Sequence, residues 1–186
     1  MAQVQILAGW LCEAQKEGSL PPGDGGRQVA EGRENHGMTD TVAKLEEAIQ
    51  QAAGQYYRLV LLAGAPGSGR TATLQAVAQQ HGYPYLNVNL EMCRRMLELT
   101  RTQRVRQASR LFKDVIAAVP GEVVLLDNLE ILHDRSLEIK PLGLLQTASR
   151  NRTLVATWNG SYRDGTLAYA EPTGSCGLCR QYCMTL

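Results

Sequence analysis

The chain has 186 residues, a formal net charge of +1 and 44% hydrophobic residues. This length suits one ordinary domain, and so large an apolar share excludes a chain that is disordered throughout. The small net charge gives no general attraction to nucleic acid or membranes, and no apolar run reaches the roughly 18 residues of a membrane-spanning helix. Five cysteines in such a chain do not suggest a disulfide scaffold, so a reducing cytoplasm is the expected location.

Residues 1–37 differ from the remainder, and we expect them to form a flexible extension. They hold seven of the 18 glycines and show no sustained hydrophobic periodicity after Leu11. The apolar start lacks a basic leader, since the first lysine is Lys16, which argues against a signal peptide. A helical pattern begins directly after Met38, which suggests Met38 as an alternative translation start to Met1.

Helices and strands alternate from Asp40 onward. Apolar residues at helical spacing up to Ala52 predict a first helix, which Gly54 ends. An apolar strand is predicted at residues 58–63. It leads into a glycine-rich loop and a second helix that ends at Gly82.

The glycine-rich loop matches the phosphate-binding pattern G-x-x-x-x-G-K-[ST] at every position except the lysine. Arg70 stands there and keeps the positive charge, but as a planar fork in place of a compact ammonium. Glycines in this pattern free backbone N–H groups to surround phosphates, and the closing hydroxyl of Thr71 binds magnesium. The predicted nucleotide-binding residues are Gly64, Ala65, Pro66, Gly67, Ser68, Gly69, Arg70 and Thr71.

The second half of the chain continues the alternation. A short strand is predicted at residues 85–89, followed by two helices that a capping box at Thr100 separates. A strand that is apolar on both faces is predicted at residues 123–126, and a helix begins near Pro141. A fourth strand is predicted at residues 153–158, where an Asn-Gly pair ends it.

Strands that alternate with helices predict right-handed crossovers and hence a parallel sheet. The predicted fold class is α/β, a P-loop NTPase with a parallel sheet flanked by helices, in one domain over residues 38–172. The chain after Asn159 is too short for a helical lid, so a single domain without a helical lid is expected. Ligands of such sheets bind at the carboxyl ends of the strands, where the loop, Asp127 and Asn159 all fall.

Polar residues at these strand ends supply the candidate chemistry. Asp127 closes a hydrophobic strand and is, with Thr71, the candidate magnesium site. Asn128 stands where many ATPases carry a glutamate, and an amide positions water without acting as a base. Glu130 is a candidate base or a solvated loop carboxylate, and Asn159 is a candidate contact of the γ-phosphate or part of a simple turn. The candidate catalytic residues are Arg70, Asn128, Glu130 and Asn159.

Residues 91–113 form a basic segment, with seven arginines or lysines against two glutamates. A solvated helical face is the ordinary explanation of such charge. Contact with DNA phosphates or with an acidic partner is the alternative. The seven bases are Arg94, Arg95, Arg101, Arg104, Arg106, Arg110 and Lys113.

Residues 173–186 are expected to form a flexible cysteine-rich tail. Cys176, Cys179 and Cys183 could hold a metal at this spacing, but a closed zinc site needs a fourth ligand. Only the fold could bring such a fourth ligand near the three cysteines. The predicted metal ligands are therefore the two of the magnesium site, Thr71 and Asp127.

Taken together, these motifs resemble the small P-loop protein BrxF of type 3 BREX (bacteriophage exclusion) systems. The family implies a bacterial cytoplasmic defence component, encoded beside a larger ATPase, a DNA methyltransferase and a phosphatase-like protein. Arg70 departs from the lysine expected in the family. The similarity runs from about residue 44 to residue 172, and it rests on the phosphate loop and on residues 44–49, 56–60, 85–90, 97–100, 124–132, 149–153, 158–160 and 169–172.

The expected function is that of an ATP–Mg²⁺-binding component of a phage-defence complex, with weak or partner-dependent hydrolysis. Whether the chain is an enzyme depends on Arg70, and no base-reading motif distinguishes ATP from GTP. Other BREX proteins, above all the larger ATPase, are the expected partners; a homo-oligomer is a further option, and no membrane partner is expected. Two alternatives are a non-catalytic adaptor with a vestigial nucleotide site and a DNA-binding subunit that uses the basic segment.

Overall fold

The computed structural model describes residues 4–8, 31–163, 166–169 and 182–185. Two short 3-10 helices, Glu130–His133 and Arg135–Leu137, follow the strand Val123–Asp127. The strands within these ranges are β1 (Gln5–Ala8), β2 (Leu59–Gly64), β3 (Tyr85–Asn87), β4 (Val123–Asp127), β5 (Thr153–Arg163), β6 (Thr166–Tyr169) and β7 (Tyr182–Thr185). The α-helices are α1 (Glu31–Ala52), α2 (Arg70–His81), α3 (Val88–Met96), α4 (Arg101–Ala117) and α5 (Pro141–Ala148).

Five of the strands form a parallel sheet in the order β1-β2-β5-β4-β3. The strand before the phosphate loop, β2, lies beside β5, with Gly64 opposite Asn159. On the far side of β5, β4 lies next to β3, with Asp127 opposite Asn87. Because the parallel parts of these strands end at a common edge, Gly64 of β2, Asp127 of β4 and Asn159 of β5 lie together. The parallel sheet confirms the predicted P-loop NTPase fold.

Helices cover both faces of this sheet. Successive side chains of a strand point to opposite faces, so alternate residues of β2 belong to two core clusters. Leu59 and Leu61 pack with residues of α3, α4 and α5, whereas Val60 and Leu62 pack with residues of α1 and α2. All four leucine and valine side chains are buried, which explains the continuous apolar run that precedes the loop.

Side-chain caps decide where two of the helices begin. The hydroxyl of Thr100 accepts the N–H of Gln103 at 3.4 Å, and Oε1 of Gln103 accepts the N–H of Thr100 at 2.9 Å, which confirms the predicted capping box. Asn87 Oδ1 accepts the N–H of Leu90 at 2.9 Å and thereby starts α3. The strand predicted at residues 85–89 therefore ends at Asn87.

Two parts of residues 1–37, for which a flexible extension is predicted, lie in regular secondary structure. Strand β1 pairs in parallel with β2, and Ile6 and Leu7 pack against the two core clusters on opposite faces of the sheet. Helix α1 begins at Glu31, seven residues before Met38. A chain that began at Met38 would lack β1 and the first two turns of α1; residues 1–3 and 9–30 lie outside the described residues.

The fourth predicted strand is longer than expected, because the Asn-Gly pair does not end it. Strand β5 runs to Arg163 and forms an antiparallel hairpin with β6, in which Gly160 lies opposite Tyr169. Gly160 has a φ of 152°, and a Cβ atom there would lie 1.8 Å from the carbonyl oxygen of Ala168. Only glycine fits at this point, where β5 leaves the parallel sheet.

Within residues 173–186, for which a flexible tail is predicted, the structure describes Tyr182–Thr185. These residues form β7, which pairs with β6 and places Cys183 opposite Ala168. Cys176 and Cys179 lie outside the described residues, so a metal role of the three thiols stays a prediction. In the part of the chain that the structure describes, no helix follows β5, and no helix is long and apolar enough to span a membrane.

Candidate nucleotide site

The phosphate loop joins β2 to α2, and its glycines are required by the backbone. Gly67 and Gly69 have φ values of 79° and 81°, in the left-handed region that only glycine adopts without strain. A Cβ atom at Gly64 would lie 2.7 Å from Ser68 Oγ, so the loop closes tightly over its own first residue. Replacing Gly67 or Gly69 would therefore strain the backbone of the loop, and a side chain at Gly64 would require Ser68 Oγ to move.

The donors of this loop fit a phosphate group. Ser68 Oγ is buried without a hydrogen-bond partner, and only one other side-chain atom of the described residues shares that condition. Gly69 caps α2 without a side-chain hydrogen bond, which leaves the N–H groups of the first helical turn available to an anion. An unpaired hydroxyl beside a helix N-terminus suits the oxygens of a phosphate.

Asp127 ends β4 as a buried carboxylate with several donors. Tyr85 Oη donates to Oδ2 at 2.6 Å, Thr157 Oγ1 donates to Oδ1 at 2.8 Å, and the N–H of Asn128 donates to Oδ1 at 2.9 Å. Burial, the largest single effect, acts to raise the pKa of this carboxyl, but these hydrogen bonds and one from Thr71 outweigh it and lower the pKa. The carboxylate stays ionised beside the Thr71 hydroxyl, and this pair of oxygen ligands suits Mg²⁺.

Sequence reasoning missed Tyr85 and Thr157, the two side chains that hold Asp127. Tyr85 comes from β3 and Thr157 from β5, the two neighbours of β4, so their proximity to Asp127 depends on the strand order. Burial and the hydrogen bond to Asp127 raise the pKa of Tyr85 to about 12, which keeps its phenol protonated as a donor. A polar side chain in an otherwise apolar strand was the one signal that the sequence offered.

Arg70 is buried, at 8% exposure, and its guanidinium contacts β5 at Trp158 and Asn159, where the parallel pairing of β5 with β2 ends. Nη1 donates to the carbonyl oxygen of Trp158, and Nη2 donates to Oδ1 of Asn159 and, at 3.2 Å, to the carbonyl oxygen of Ala65. Desolvation lowers the pKa of Arg70 from its ordinary value, while the negative charges of Asp127 and Glu130 act to raise it. The guanidinium remains a cation, since arginine is not deprotonated in proteins.

Asn159, which accepts a hydrogen bond from Arg70, also contacts Glu130. Asn159 Nδ2 donates to Glu130 Oε1 at 2.5 Å, on the side of the amide away from the guanidinium. Arg70, Asn159 and Glu130 therefore form one continuous chain of hydrogen bonds. The structure brings together three of the four candidate catalytic residues.

The fourth candidate, Asn128, shapes the turn that follows β4. Its φ of 55° lies in the left-handed region, which asparagine tolerates better than most residues. Its N–H donates to Asp127, and its carbonyl oxygen accepts the N–H of Asn89 at 3.0 Å. The turn reverses the chain and brings Glu130 toward the phosphate loop.

An aromatic cluster lies next to this turn and joins it to the β5–β6 hairpin. His133 stacks on Tyr169 with ring centres 3.5 Å apart, and it meets the buried Trp158 edge to face at 4.7 Å. Trp158 Nε1 donates to the carbonyl oxygen of Ala168 at 3.1 Å. Burial lowers the pKa of His133 to about 4, so the imidazole is neutral at physiological pH.

The basic segment lies mainly on α3 and α4, and all seven of its bases are exposed. On α4, the exposed face carries Arg106, Arg110 and Lys113, opposite the buried Ala108 and Phe112. Among the apolar side chains of this segment, Met92, Met96 and Phe112 are buried, whereas Leu97 is 73% exposed. No cluster of three or more His, Cys, Asp or Glu side chains able to hold a metal occurs among the described residues.

Three comparisons relate this chain to known proteins. The family model described as ATPase family associated with various cellular activities (AAA) matches residues 60–154, just over half of the chain. ATP-dependent zinc metalloprotease FtsH 3 of Conexibacter woesei is 27% identical over 118 residues, which are 59% of this chain and 15% of that protein. The structure of C. elegans PCH-2 matches at a TM-score of 0.37 and 20% identity, over 73% of this chain and 40% of that one. The extent of the family match shows that this chain belongs to the AAA family of ATPases.

Proposed function

We propose that this chain binds ATP–Mg²⁺ through its phosphate loop and hydrolyses it weakly or only with a partner. The observation that carries the proposal is the unpaired buried Ser68 hydroxyl beside the uncapped start of α2, with the ionised Asp127 and Thr71 adjacent. The backbone of residues 64–71 would hold the phosphates, and Thr71 and Asp127 would hold the metal. Bound Mg²⁺ would neutralise charge on the β- and γ-phosphates.

Weak hydrolysis is supported by the contacts of the candidate catalytic residues. Arg70 already donates to three neutral acceptors, so its guanidinium is not free to stabilise the negative charge that develops on a phosphate during hydrolysis. Glu130 Oε1 already accepts a hydrogen bond from Asn159 at 2.5 Å, so this oxygen is not free to bind an attacking water. Asn128, directly after Asp127, carries an amide that cannot take a proton from water.

The biological setting of the proposal is a cytoplasmic type 3 BREX defence complex. It is supported by the resemblance of residues 44–172 to BrxF, which places such a protein beside a larger ATPase. That larger ATPase is the partner we propose, and a homo-oligomer is the alternative assembly. In either assembly, a residue from a neighbouring subunit would supply the catalytic group that Asn128 and Arg70 do not.

Calorimetric titration with ATP–Mg²⁺ and a phosphate-release assay, on the native protein and Arg70→Lys, test this proposal. We expect both proteins to bind ATP, and turnover in Arg70→Lys to exceed that of the native protein by about tenfold or more, because a compact ammonium follows the phosphate more freely. Arg106→Lys, an exposed arginine on α4, is the matched control and should change neither value. Absence of ATP binding in both Arg70 forms would contradict the proposal and favour the non-catalytic adaptor.

DNA binding is the second candidate function, and the alignment of Arg106, Arg110 and Lys113 on one exposed face of α4 favours it. For the double variant Arg106→Glu and Lys113→Glu, we expect weaker binding of duplex DNA. The slope of log affinity against log salt concentration should also be smaller, by the equivalent of about two phosphate contacts. Fluorescence anisotropy at several salt concentrations measures both quantities. The control is Lys140→Glu, which changes an exposed lysine outside the basic segment and should leave both the DNA affinity and its salt dependence unaltered. If the native protein does not bind DNA, or binds it without any salt dependence, this candidate function is ruled out.

A further inference from the structure

We propose that Arg70, Asn159 and Glu130 form a latch that a nucleoside triphosphate has to open and a diphosphate leaves closed. The inference rests on the proposed nucleotide binding and adds a preference of the same site for the diphosphate. It follows from where the guanidinium of Arg70 lies, from the chemistry of its partners and from what Glu130 is attached to.

The latch connects the phosphate loop to β5 at the point where the parallel pairing of β5 with β2 ends. Arg70 is the first residue of α2, yet two of its three acceptors, the Trp158 carbonyl and the Asn159 amide, belong to β5. The third acceptor, the carbonyl oxygen of Ala65, lies within the loop itself. The guanidinium therefore spans the gap between the loop and the sheet edge.

This gap is where a third phosphate would be placed. In the phosphate-binding pattern, the side chain at the position of Arg70 reaches the β- and γ-phosphate oxygens, while backbone N–H groups surround the phosphates nearer the base. A diphosphate can use the backbone donors and Ser68 Oγ without moving Arg70. A γ-phosphate meets a guanidinium already engaged by Asn159, with the carboxylate of Glu130 one hydrogen bond beyond.

Charge explains why the latch is able to open. All three acceptors of Arg70 are neutral oxygens, and the carboxylates of Asp127 and Glu130 act on its charge only through space. A phosphate is a stronger partner for a guanidinium than an amide or a carbonyl, because both groups are ionised and the contact can be bidentate. A γ-phosphate can therefore replace Asn159 as the partner of Arg70, at the cost of breaking the latch and approaching the negative Glu130.

Opening the latch would change contacts outside the phosphate loop. Glu130 begins the 3-10 helix that ends at His133, and His133 stacks on Tyr169 of β6. Once Asn159 leaves Arg70, the amide is free to rotate, and Glu130 loses its fixed donor at 2.5 Å. The turn after β4 and the start of the β5–β6 hairpin would loosen together. The conformation of these two segments would therefore depend on which nucleotide is bound.

Affinities for ADP–Mg²⁺ and for a non-hydrolysable ATP analogue with Mg²⁺, measured by calorimetry, test the latch. We expect the native protein to bind ADP about tenfold more tightly than the analogue, because the analogue must break the latch. Glu130→Gln keeps an acceptor for Asn159 but removes the negative charge, and it should tighten the analogue severalfold with little effect on ADP. Glu98→Gln, an exposed glutamate between α3 and α4, is the matched control.

Hydrogen exchange supplies a second readout that does not depend on activity. With the analogue bound, amides of residues 128–134 and 158–161 should exchange faster than with ADP bound. Equal affinities of the native protein for the two nucleotides, or a ratio unchanged by Glu130→Gln, would overturn the latch while leaving nucleotide binding intact. Absence of binding for both nucleotides would instead contradict the proposed function.

Discussion

Gly160→Ala is expected to lower the free energy of unfolding by about 3–5 kcal/mol, the range of severe single substitutions. A Cβ atom at this position would lie 1.8 Å from the carbonyl oxygen of Ala168 and 2.9 Å from its carbon, both backbone atoms that no rotamer change can move. The φ of 152° adds strain for any residue other than glycine. The β5–β6 hairpin must shift or separate, and Trp158 would lose the acceptor of its indole N–H.

Urea denaturation followed by tryptophan fluorescence measures this effect. Gly143→Ala is the matched control, because Gly143 lies in α5 with no atom within 4 Å of an added Cβ. That change should stabilise the protein by roughly 0.5–1 kcal/mol, as alanine for glycine does within a helix. A Gly160→Ala protein with native stability would show that β6 does not pair with β5 as described.

Asp127→Asn is expected to remove most of the gain in nucleotide affinity that Mg²⁺ provides, at least about tenfold. The substitution is nearly isosteric and can keep the bond from Thr157, but it removes the negative charge that the metal requires. Its Nδ2 group would also face the Tyr85 hydroxyl, which now donates to Oδ2 at 2.6 Å. The phenol would have to rotate and become an acceptor.

Titrations of ADP in Mg²⁺ and in EDTA separate metal-dependent from metal-independent affinity. In Asp127→Asn the two affinities should converge, while that in EDTA stays close to native because the loop donors are unchanged. Asp114→Asn, which removes an exposed carboxylate 3.7 Å from Arg110, should behave as the native protein does. A full Mg²⁺ dependence in Asp127→Asn would mean that the metal is held elsewhere.

Local patterns in the sequence predicted the parallel core of the fold well. The phosphate loop, the buried strand before Asp127 and the capping box at Thr100 each depend on neighbouring residues, so their signals survive without tertiary information. Strand β1 was missed although residues 4–11 are mostly apolar, because its pairing with β2 is a long-range contact that leaves no periodic trace. The Asn-Gly pair in β5 was misjudged for a related reason: Gly160 serves a close strand approach, whereas such pairs usually mark turns.

The sequence by itself determined the α/β fold class, the phosphate loop and the chemical identity of the residues at the strand ends, because each is carried by short contiguous patterns. The tertiary structure decided how those residues are used. Strand order placed Tyr85 and Thr157 on Asp127, and the left-handed turn at Asn128 returned Glu130 to Asn159. From the sequence, Arg70 was a substituted lysine; in the fold, its guanidinium is bound to β5, because a planar group with five donors finds acceptors that a single ammonium would not reach.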